Sequence, residues 1–386
     1  MAGDAYDVII AGAGPAGAQC ARYIAAHSPY SVLLLDKTQE IGEPKKSTAG
    51  TFDEAVRVFR LPKKIAQCPI TTGVIEGPTE TATFPLKGCV LDFGRLKRFL
   101  AEDAVHHGAE LRIESAVVKP VIEHKRVAGV LYRDLDGEHI AKAKIVIDAT
   151  GPGAVLAAQL GLRTLDLKSH WVGMEFEMER LRLTQQNALL IKLDTAFAPG
   201  GYSWIFSSGR NHAKVGNCWS QKLFGKNGGS GSQVSYLKRW ISSDDRLKDG
   251  IALEMHAGDA YMGSIKTRST HNFMAIGDVV CSVNPLFGEG IRPALYSGMF
   301  AAQAAIAALK KKDTSARQLA AYDRAWNDKY GQYWRTSLWA NALLYRLSNK
   351  NLDKVVRKVS ALDAATRNRL INLTCTLNDL RKLLPL

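Results

Sequence analysis

Tyr6 to Ala11 (YDVIIA) is a short β-branched run, the pattern of a strand buried on both faces in a parallel sheet. Pro15 to Ala26 follows as an alanine-rich helix, and Ser31 to Leu35 (SVLLL) as a second strand that stops at Asp36. Lys144 to Gly151 (KIVIDATG) again runs from strand into a glycine turn, as does Phe273 to Ile276 into Gly277-Asp278. A long helix is predicted from Ile291, and Ala301 to Leu309 within it is rich in strong helix formers. Pro69 to Leu91 and Leu167 to Ala260 carry more strand signals, broken by a helix around Val234 to Ile241. Gly225 to Ser232 (GKNGGSGS) reads as a loop or turn by composition. From Asp323 to Leu347, Trp326, Tyr330, Tyr333, Trp334, Trp339 and Leu343 recur at largely helical spacings.

The elements predict an α/β chain in which one sheet is interrupted by inserts that form another. At 386 residues a sizeable core forms without disulfide or metal staples. The six cysteines are scattered, with no CxxC pair and no zinc-type Cys/His spacing, as expected of a reducing, cytosolic environment. The N-terminus does not read as a signal peptide, because Asp4 and Asp7 interrupt it, and no run of 18 apolar residues occurs.

Charge adds one feature. Lys and Arg number 51 against 37 Asp and Glu, a net of +14, which favours an anionic partner. From Lys329 onward there are eleven Lys/Arg and three Asp, so +8 of the excess lies in the last 58 residues. Val355, Val356, Leu362, Leu370, Ile371 and Leu377 are spread among those charges. The segment reads either as an element for an anionic membrane surface or as a helical cap with a charged outer face. Nucleic acid is not expected, since no zinc-finger spacing, RNP-like aromatic pattern or KH clamp is present.

The chemistry is concentrated in the glycine turns. Gly12, Gly14 and Gly17 form G-A-G-P-A-G directly between a strand and a helix. Gly12 permits the tight turn, Gly14 lets a pyrophosphate approach the backbone, and Gly17 lets helix pack on strand. The helix start offers free N–H groups to phosphate oxygens. Asp36, 24 residues after Gly12, stands where a carboxylate accepts ribose hydroxyls. An acid there suits FAD or NAD better than NADP. Gly288 and Gly290, before the helix from Ile291, repeat the helix-start arrangement.

Together the G-A-G-P-A-G turn, the Ala149-Thr150-Gly151 segment and Gly277-Asp278…Pro285-Leu286-Phe287-Gly288-Glu289-Gly290-Ile291 resemble flavoproteins of the p-hydroxybenzoate hydroxylase fold. Within them the chain is similar to geranylgeranyl reductases, especially archaeal enzymes that saturate isoprenoid chains of membrane lipids. Pro199, Tyr202, Trp204 and Phe206 match the PxxYxWxFP segment of that family, with Ser207 in place of its last proline. Tyr202, Trp204 and Phe206 alternate, so three rings share one strand face suited to a long hydrocarbon.

The resemblance implies a Rossmann-like FAD-binding domain from 1–70, 93–165 and 265–310, interleaved with an antiparallel-sheet substrate domain from 71–92 and 166–264, and followed by a C-terminal helical region, 311–386. It implies FAD held by Gly12, Gly14, Ala16 and Gly17 at the pyrophosphate, Asp36 at the ribose and Val117 on the adenine side. Ser47, Thr48 and Gly50 are expected near the isoalloxazine, and Asp278, Gly290 and Ile291 at the ribityl and ring edge. Ser47 occupies the family's cysteine position, so no thiolate chemistry is available there. Phe93 aligns with a family arginine, for which Arg95 and Arg98 are the nearby substitutes. Lys45 and Lys46 read as a binding site for a phosphorylated head group or as a solvated loop.

The implied activity is reduction of C=C bonds in a polyprenyl lipid by hydride from reduced flavin, with NAD(P)H or a carrier such as ferredoxin as reductant. A monooxygenase or halogenase of the same fold is the alternative, although the halogenase WxWxIP segment is absent. A prenyl carrier resembling GDP-dissociation inhibitors would share the topology without flavin. The expected location is cytoplasmic, with peripheral membrane contact. The sequence leaves the proton donor unassigned.

Overall fold

The computed structural model describes residues 5–164, 166, 169–226, 230–371 and 374–383. In chain order the strands are β1 Ala5–Ala11, β2 Val32–Leu35, β3 Gly50–Phe52, β4 Ala66–Glu76, β5 Thr81–Leu91, β6 Glu110–Arg112, β7 Ala116–Glu123 and β8 Arg126–Asp134. They continue as β9 Gly137–Asp148, β10 His170–Glu179, β11 Ala188–Lys192, β12 Gly201–Gly209, β13 His212–Ser220, β14 Ile251–Tyr261, β15 Ser269–Thr270 and β16 Phe273–Ala275.

The first sheet runs β15-β16-β9-β1-β2-β6, with the β7–β8 hairpin attached to β9. β1 is parallel to β2 and to β9, and β16 is parallel to β9. The register sets Ala11 beside Leu35 and Asp148, and Ala275 beside Asp148. The turns at Gly12, Asp36, Thr150 and Gly277-Asp278 therefore open at one carboxyl edge, although the sequence spreads them over 266 residues. That edge is where open α/β sheets bind ligands.

Two helices rich in small residues back this sheet. Pro15–His27 buries Ala16, Gly17, Ala18, Cys20, Ala21 and Ile24, and packs on Ile291–Lys310. At Gly298 a Cβ would fall 2.2 Å from the Ala16 carbonyl oxygen, so the two helices meet backbone to backbone.

The second sheet runs β14-β10-β13-β12-β11-β4-β5-β3. Its inserts join between β4 and β11, and that pair is parallel, whereas an antiparallel joint was expected. No hairpin links these strands, so their direction follows from where each excursion leaves the first sheet. β3 and the start of β4 lie before residue 71, yet they pair within this second sheet. The expected helix near Val234 is present as Gln233–Ser243. Part of the expected Gly225–Ser232 loop lies outside the described residues, and Gly225 itself lies in the last turn of a short helix, Gln221–Lys226.

The C-terminal aromatic stretch forms Ala316–Trp326 and Gln332–Leu344, joined through a π-helical turn, Asn327–Gly331. The helix Asn349–Ser360 then lays Leu352, Val355, Val356 and Val359 inward against β4 and β5. Leu362, Leu370 and Leu380 enter the same apolar cluster, which also holds Ile75, Phe84, Tyr202 and Trp204. The apolar face of the basic segment is thus covered by the second sheet, which is the cap arrangement; Leu377 alone of its named, described apolar residues is exposed. Among the described residues no helix is long and apolar enough to cross a membrane.

Candidate active site

A cavity of about 570 Å³ lies between the carboxyl edge of the first sheet and one face of the second. On the first side, Gly12 adopts φ +108°, where a side chain would also strike the Ala149 carbonyl at 2.4 Å. Gly14 ends the turn with nothing within 4 Å of its Cβ position, leaving open space before the helix. Neither Pro15–His27 nor Ile291–Lys310 has a side-chain cap, so both helix starts offer free N–H groups beside the cavity. Ala16, Gly290 and Ile291 line it as expected. Gly17 does not line it: its Cβ position lies 1.9 Å from the Gly12 carbonyl oxygen, so its function is helix packing behind the turn.

Asp36 is built into the same edge. One carboxylate oxygen accepts the Ala13 N–H at 2.6 Å, and the other accepts the Thr38 N–H at 2.9 Å and hydroxyl at 2.6 Å. The first oxygen keeps a lone-pair site for a ribose hydroxyl. Val117 lines the cavity close to Ser115 and Ala116. Asp278 also lines it, half-buried, with the Ser282 hydroxyl at 3.1 Å. Burial pushes its carboxyl up to about 6, against the Ser282 hydrogen bond and aided by Asp259. A half-buried carboxyl at the cavity wall with one hydroxyl partner suits a ligand rich in hydroxyls, such as a ribityl chain. Two uncapped helix starts, an open glycine cradle and these two acids fit FAD.

The opposite wall follows from strand alternation. On β12, Tyr202, Trp204 and Phe206 all face the cavity, with the Tyr202 and Trp204 ring centroids 5.9 Å apart. Leu189 and Ile191 lie beside them on β11, as do Ile75 and Phe84 on β4 and β5. Tyr202 stacks on Tyr345 of the C-terminal region at 6.0 Å, and Leu370 also reaches the cavity. Glycines make room for these rings. A Cβ at Gly216 would lie 2.3 Å from the Trp204 ring, one at Gly50 would lie 2.9 Å from Phe206, and one at Gly288 would lie 2.3 Å from the Tyr202 oxygen.

The segment after β2 bridges the two sides. Ser47, Thr48 and Gly50 line the cavity, and the Ser47 Oγ accepts the Ala49 N–H at 3.1 Å. The Thr48 hydroxyl donates to Glu175 at 2.5 Å. Lys45 pairs with Glu254 at 2.9 Å, while Lys46 lines the cavity. Phe93 lines it too, but Arg95 and Arg98 do not reach it; they pair with Asp92 and Glu40 at the surface. The cation this helix sends to the cavity is Lys97, whose pKa burial lowers against the pull of Asp36 and Glu43.

Glu175, His256 and Lys97 are functional candidates that sequence reasoning missed. Glu175 sits in HWVGMEFEME, where an acid reads as solvent-facing. The period-two phase shared with Trp171 and Gly173, both cavity residues, was the available signal.

Comparisons with known proteins agree with this geometry. Residues 7–164 match the FAD dependent oxidoreductase family, and residues 171–259 match the geranylgeranyl reductase catalytic domain. The chain is 40% identical over 374 residues to the digeranylgeranylglycerophospholipid reductase of Haloferax volcanii, covering 93% of this chain and 90% of that protein. A geranylgeranyl bacteriochlorophyll reductase-like protein from Thermoplasma acidophilum superposes with a TM-score of 0.89 at 24% identity, covering 98% and 96% of the two chains. A flavin-dependent brominase shares the fold at a TM-score of 0.76 and 18% identity, covering 96% of this chain and 93% of that one. Fold and site thus define an FAD-dependent oxidoreductase. More narrowly, the chain belongs to the digeranylgeranylglycerophospholipid reductase family of geranylgeranyl reductases.

The Asp36 geometry gives a direct expectation. Asp36→Ala removes the carboxylate expected to accept the ribose and frees the Ala13 and Thr38 donors. A hydrogen bond to a charged group is worth about 1.5–3 kcal/mol, so FAD affinity should fall about 10–100-fold. Flavin titration of the apoprotein measures this, and unchanged affinity removes the ribose role.

Proposed function

We propose that this protein saturates C=C bonds of a polyprenyl chain carried by a lipid, using FAD held by the glycine turns, Asp36 and Asp278. The observation that carries this reading is that Tyr202, Trp204, Phe206, Ile191 and Phe84 line the same cavity as the glycine turns and the Ser47–Gly50 segment. Bound and reduced, FAD supplies a hydride to an alkene carbon, chemistry that amino-acid side chains lack. Gly12, Gly14 and Ala16 bind its pyrophosphate, and Gly290 and Ile291 lie by its ring edge. Ser47 offers a hydroxyl, in place of a thiol, as a hydrogen-bond donor at the flavin. Tyr202 and Trp204 align the hydrocarbon and, with Phe206, exclude water.

Reductant arrives as transiently bound NAD(P)H or from an electron-carrier protein such as ferredoxin, since the sequence has no second GxGxxG turn. The apolar wall favours reduction of a long chain over the oxygen-dependent chemistry known on this fold. A chain-length series tests the reading: binding, read as perturbation of the flavin spectrum, should tighten with each added prenyl unit. Equal affinity for a soluble head group without its chain would contradict it.

The membrane contact of this reading is electrostatic, because the C-terminal apolar face is already covered. Lys350, Lys354 and Lys358 are exposed at four-residue spacing on Asn349–Ser360. Each contributes about 1 kcal/mol at an anionic surface, so replacing all three by Gln should weaken vesicle binding about 100-fold. Flotation with phosphatidylglycerol vesicles at low salt reads this. Equal binding to neutral vesicles, or binding insensitive to salt, would contradict the electrostatic contact.

A further inference from the structure

Saturating one double bond breaks a C–C π bond and forms two C–H bonds. The hydride brings both electrons, so the second carbon takes a bare proton from an acid that keeps its electron pair. In a cavity walled by hydrocarbon and aromatic rings, that acid must be built in and must be recharged from solvent.

The sheet-two wall of this cavity carries one such arrangement. Glu175 on β10 and His256 on β14 stand directly opposite each other in register, and both line the cavity. Each is less than a tenth exposed. Glu175 Oε2 accepts the Thr48 hydroxyl at 2.5 Å and the Trp204 indole N–H at 3.1 Å. Its other oxygen lies 3.2 Å from His256 Nδ1. His256 Nε2 lies 2.9 Å from Glu254 Oε2, on a side chain that is 49% exposed and paired with Lys45. A continuous hydrogen-bonded path thus runs from solvent to a buried carboxyl that touches both the flavin-side segment and the aromatic wall.

We propose that Glu175 is the proton donor of the reduction and that His256 is a relay residue that recharges it from Glu254. The step rests on the polyprenyl-reductase reading. Glu175 gives its proton to the second alkene carbon and is left as carboxylate; a proton entering His256 at Nε2 from water through Glu254 makes the imidazolium, which passes its Nδ1 proton to Glu175 and is left as the neutral Nε2–H tautomer. The same carboxylate holds the Trp204 indole, so the ring that aligns the chain and the acid that protonates it are fixed to each other. Gly216 and Gly173 leave the space in which the indole lies across β13 to reach Glu175.

The other acidic hydrogens on this wall are less suited. Tyr202 and Cys218 are opposite each other in register on β12 and β13, and burial holds both far above neutral, Cys218 at about 12. Asp278 lies on the first-sheet side beside Ser282.

The groups facing His256 are Glu175 and Glu177 from β10, Glu254 from β14 and Lys45 from the segment after β2, with Lys214 of β13 opposite Glu177. The Glu175 hydrogen bond is the main influence raising its pKa, opposed by burial and aided by Glu254. His256 is therefore charged below this raised value, and relay is lost as pH rises through it.

Two measurements test the proposal, with FAD-loaded protein reduced by dithionite and mixed anaerobically with a geranylgeranylated lipid. Glu175→Gln preserves shape and should bind FAD normally, yet slow flavin reoxidation by at least about 100-fold, the lower range for loss of a general acid. His256→Gln should remove the alkaline fall of the rate seen in the wild type. Independently of turnover, ring NMR of His256 in the unliganded protein should give a titration midpoint above 6.5 that drops in Glu175→Gln. A Glu175→Gln protein that reoxidises at the wild-type rate, or a His256 midpoint that does not move, overturns the proposal. A wild type that stays reduced with the lipid overturns the polyprenyl reading itself, and the titration still decides the pairing.

Discussion

Gly17→Ala should yield protein without bound flavin, and Gly14→Ala should do so for a different reason. The added methyl at Gly17 would sit 1.9 Å from the Gly12 oxygen and 2.9 Å from the Ala149 Cβ. Both neighbours are fixed, one as backbone and the other as a methyl with no rotamer to change. The helix Pro15–His27 must move off β1, opening the turn that carries Gly12 and Gly14. Overpacking of this kind costs about 1–3 kcal/mol. At Gly14 the methyl meets no protein atom within 4 Å. Its stability should remain within about 0.5 kcal/mol of wild type, while the methyl occupies the space expected for the pyrophosphate. Denaturant unfolding and flavin absorbance together separate the two. Equal stability loss in both variants would mean that Gly14 has a packing role and that the cradle is wrongly placed.

Trp204→Phe should keep FAD and lose most turnover of long prenyl substrates. Phenylalanine retains a ring on β12 but cannot donate to Glu175, which the indole N–H reaches at 3.1 Å. A displaced aligning group of this kind costs about 100-fold in rate. Single-turnover flavin reoxidation measures it, with the oxidised flavin spectrum as control. A Trp204→Phe enzyme at the wild-type rate would return Trp204 to a packing role.

The nucleotide half of the site was legible because its demands are local. Gly12, Asp36 and Asp278 each follow a short apolar strand within three residues, so the turn chemistry is written next to the element that positions it. The aromatic face of β12 was legible for the same reason, since a period of two needs no knowledge of neighbouring strands. Gly17 was only half read: its glycine was explained, but its place behind the turn, away from the cavity, depends on the path of the Gly12 carbonyl.

What sequence reading missed depends on pairing at a distance. Glu175 and His256 are 81 residues apart and meet only through the β10–β14 register. Lys97 was overlooked because Arg95 and Arg98 on the same helix are the more obvious cations, yet helix phase turns those two to the surface. The basic C-terminal segment was ambiguous between membrane element and cap because amphipathicity states that one face is covered and not by what. The covering surface is β4 and β5, from an insert nearly 300 residues earlier.

The central claim is that one cavity joins FAD to a hydrocarbon chain and reduces its double bonds. The most direct measurement is anaerobic: the flavoprotein is reduced with dithionite, given a geranylgeranylated glycerophospholipid, and followed by flavin absorbance and lipid mass. The account predicts flavin reoxidation in step with a mass gain of two for each bond saturated. Flavin that stays reduced until oxygen is admitted, with the lipid unchanged in mass, would contradict it.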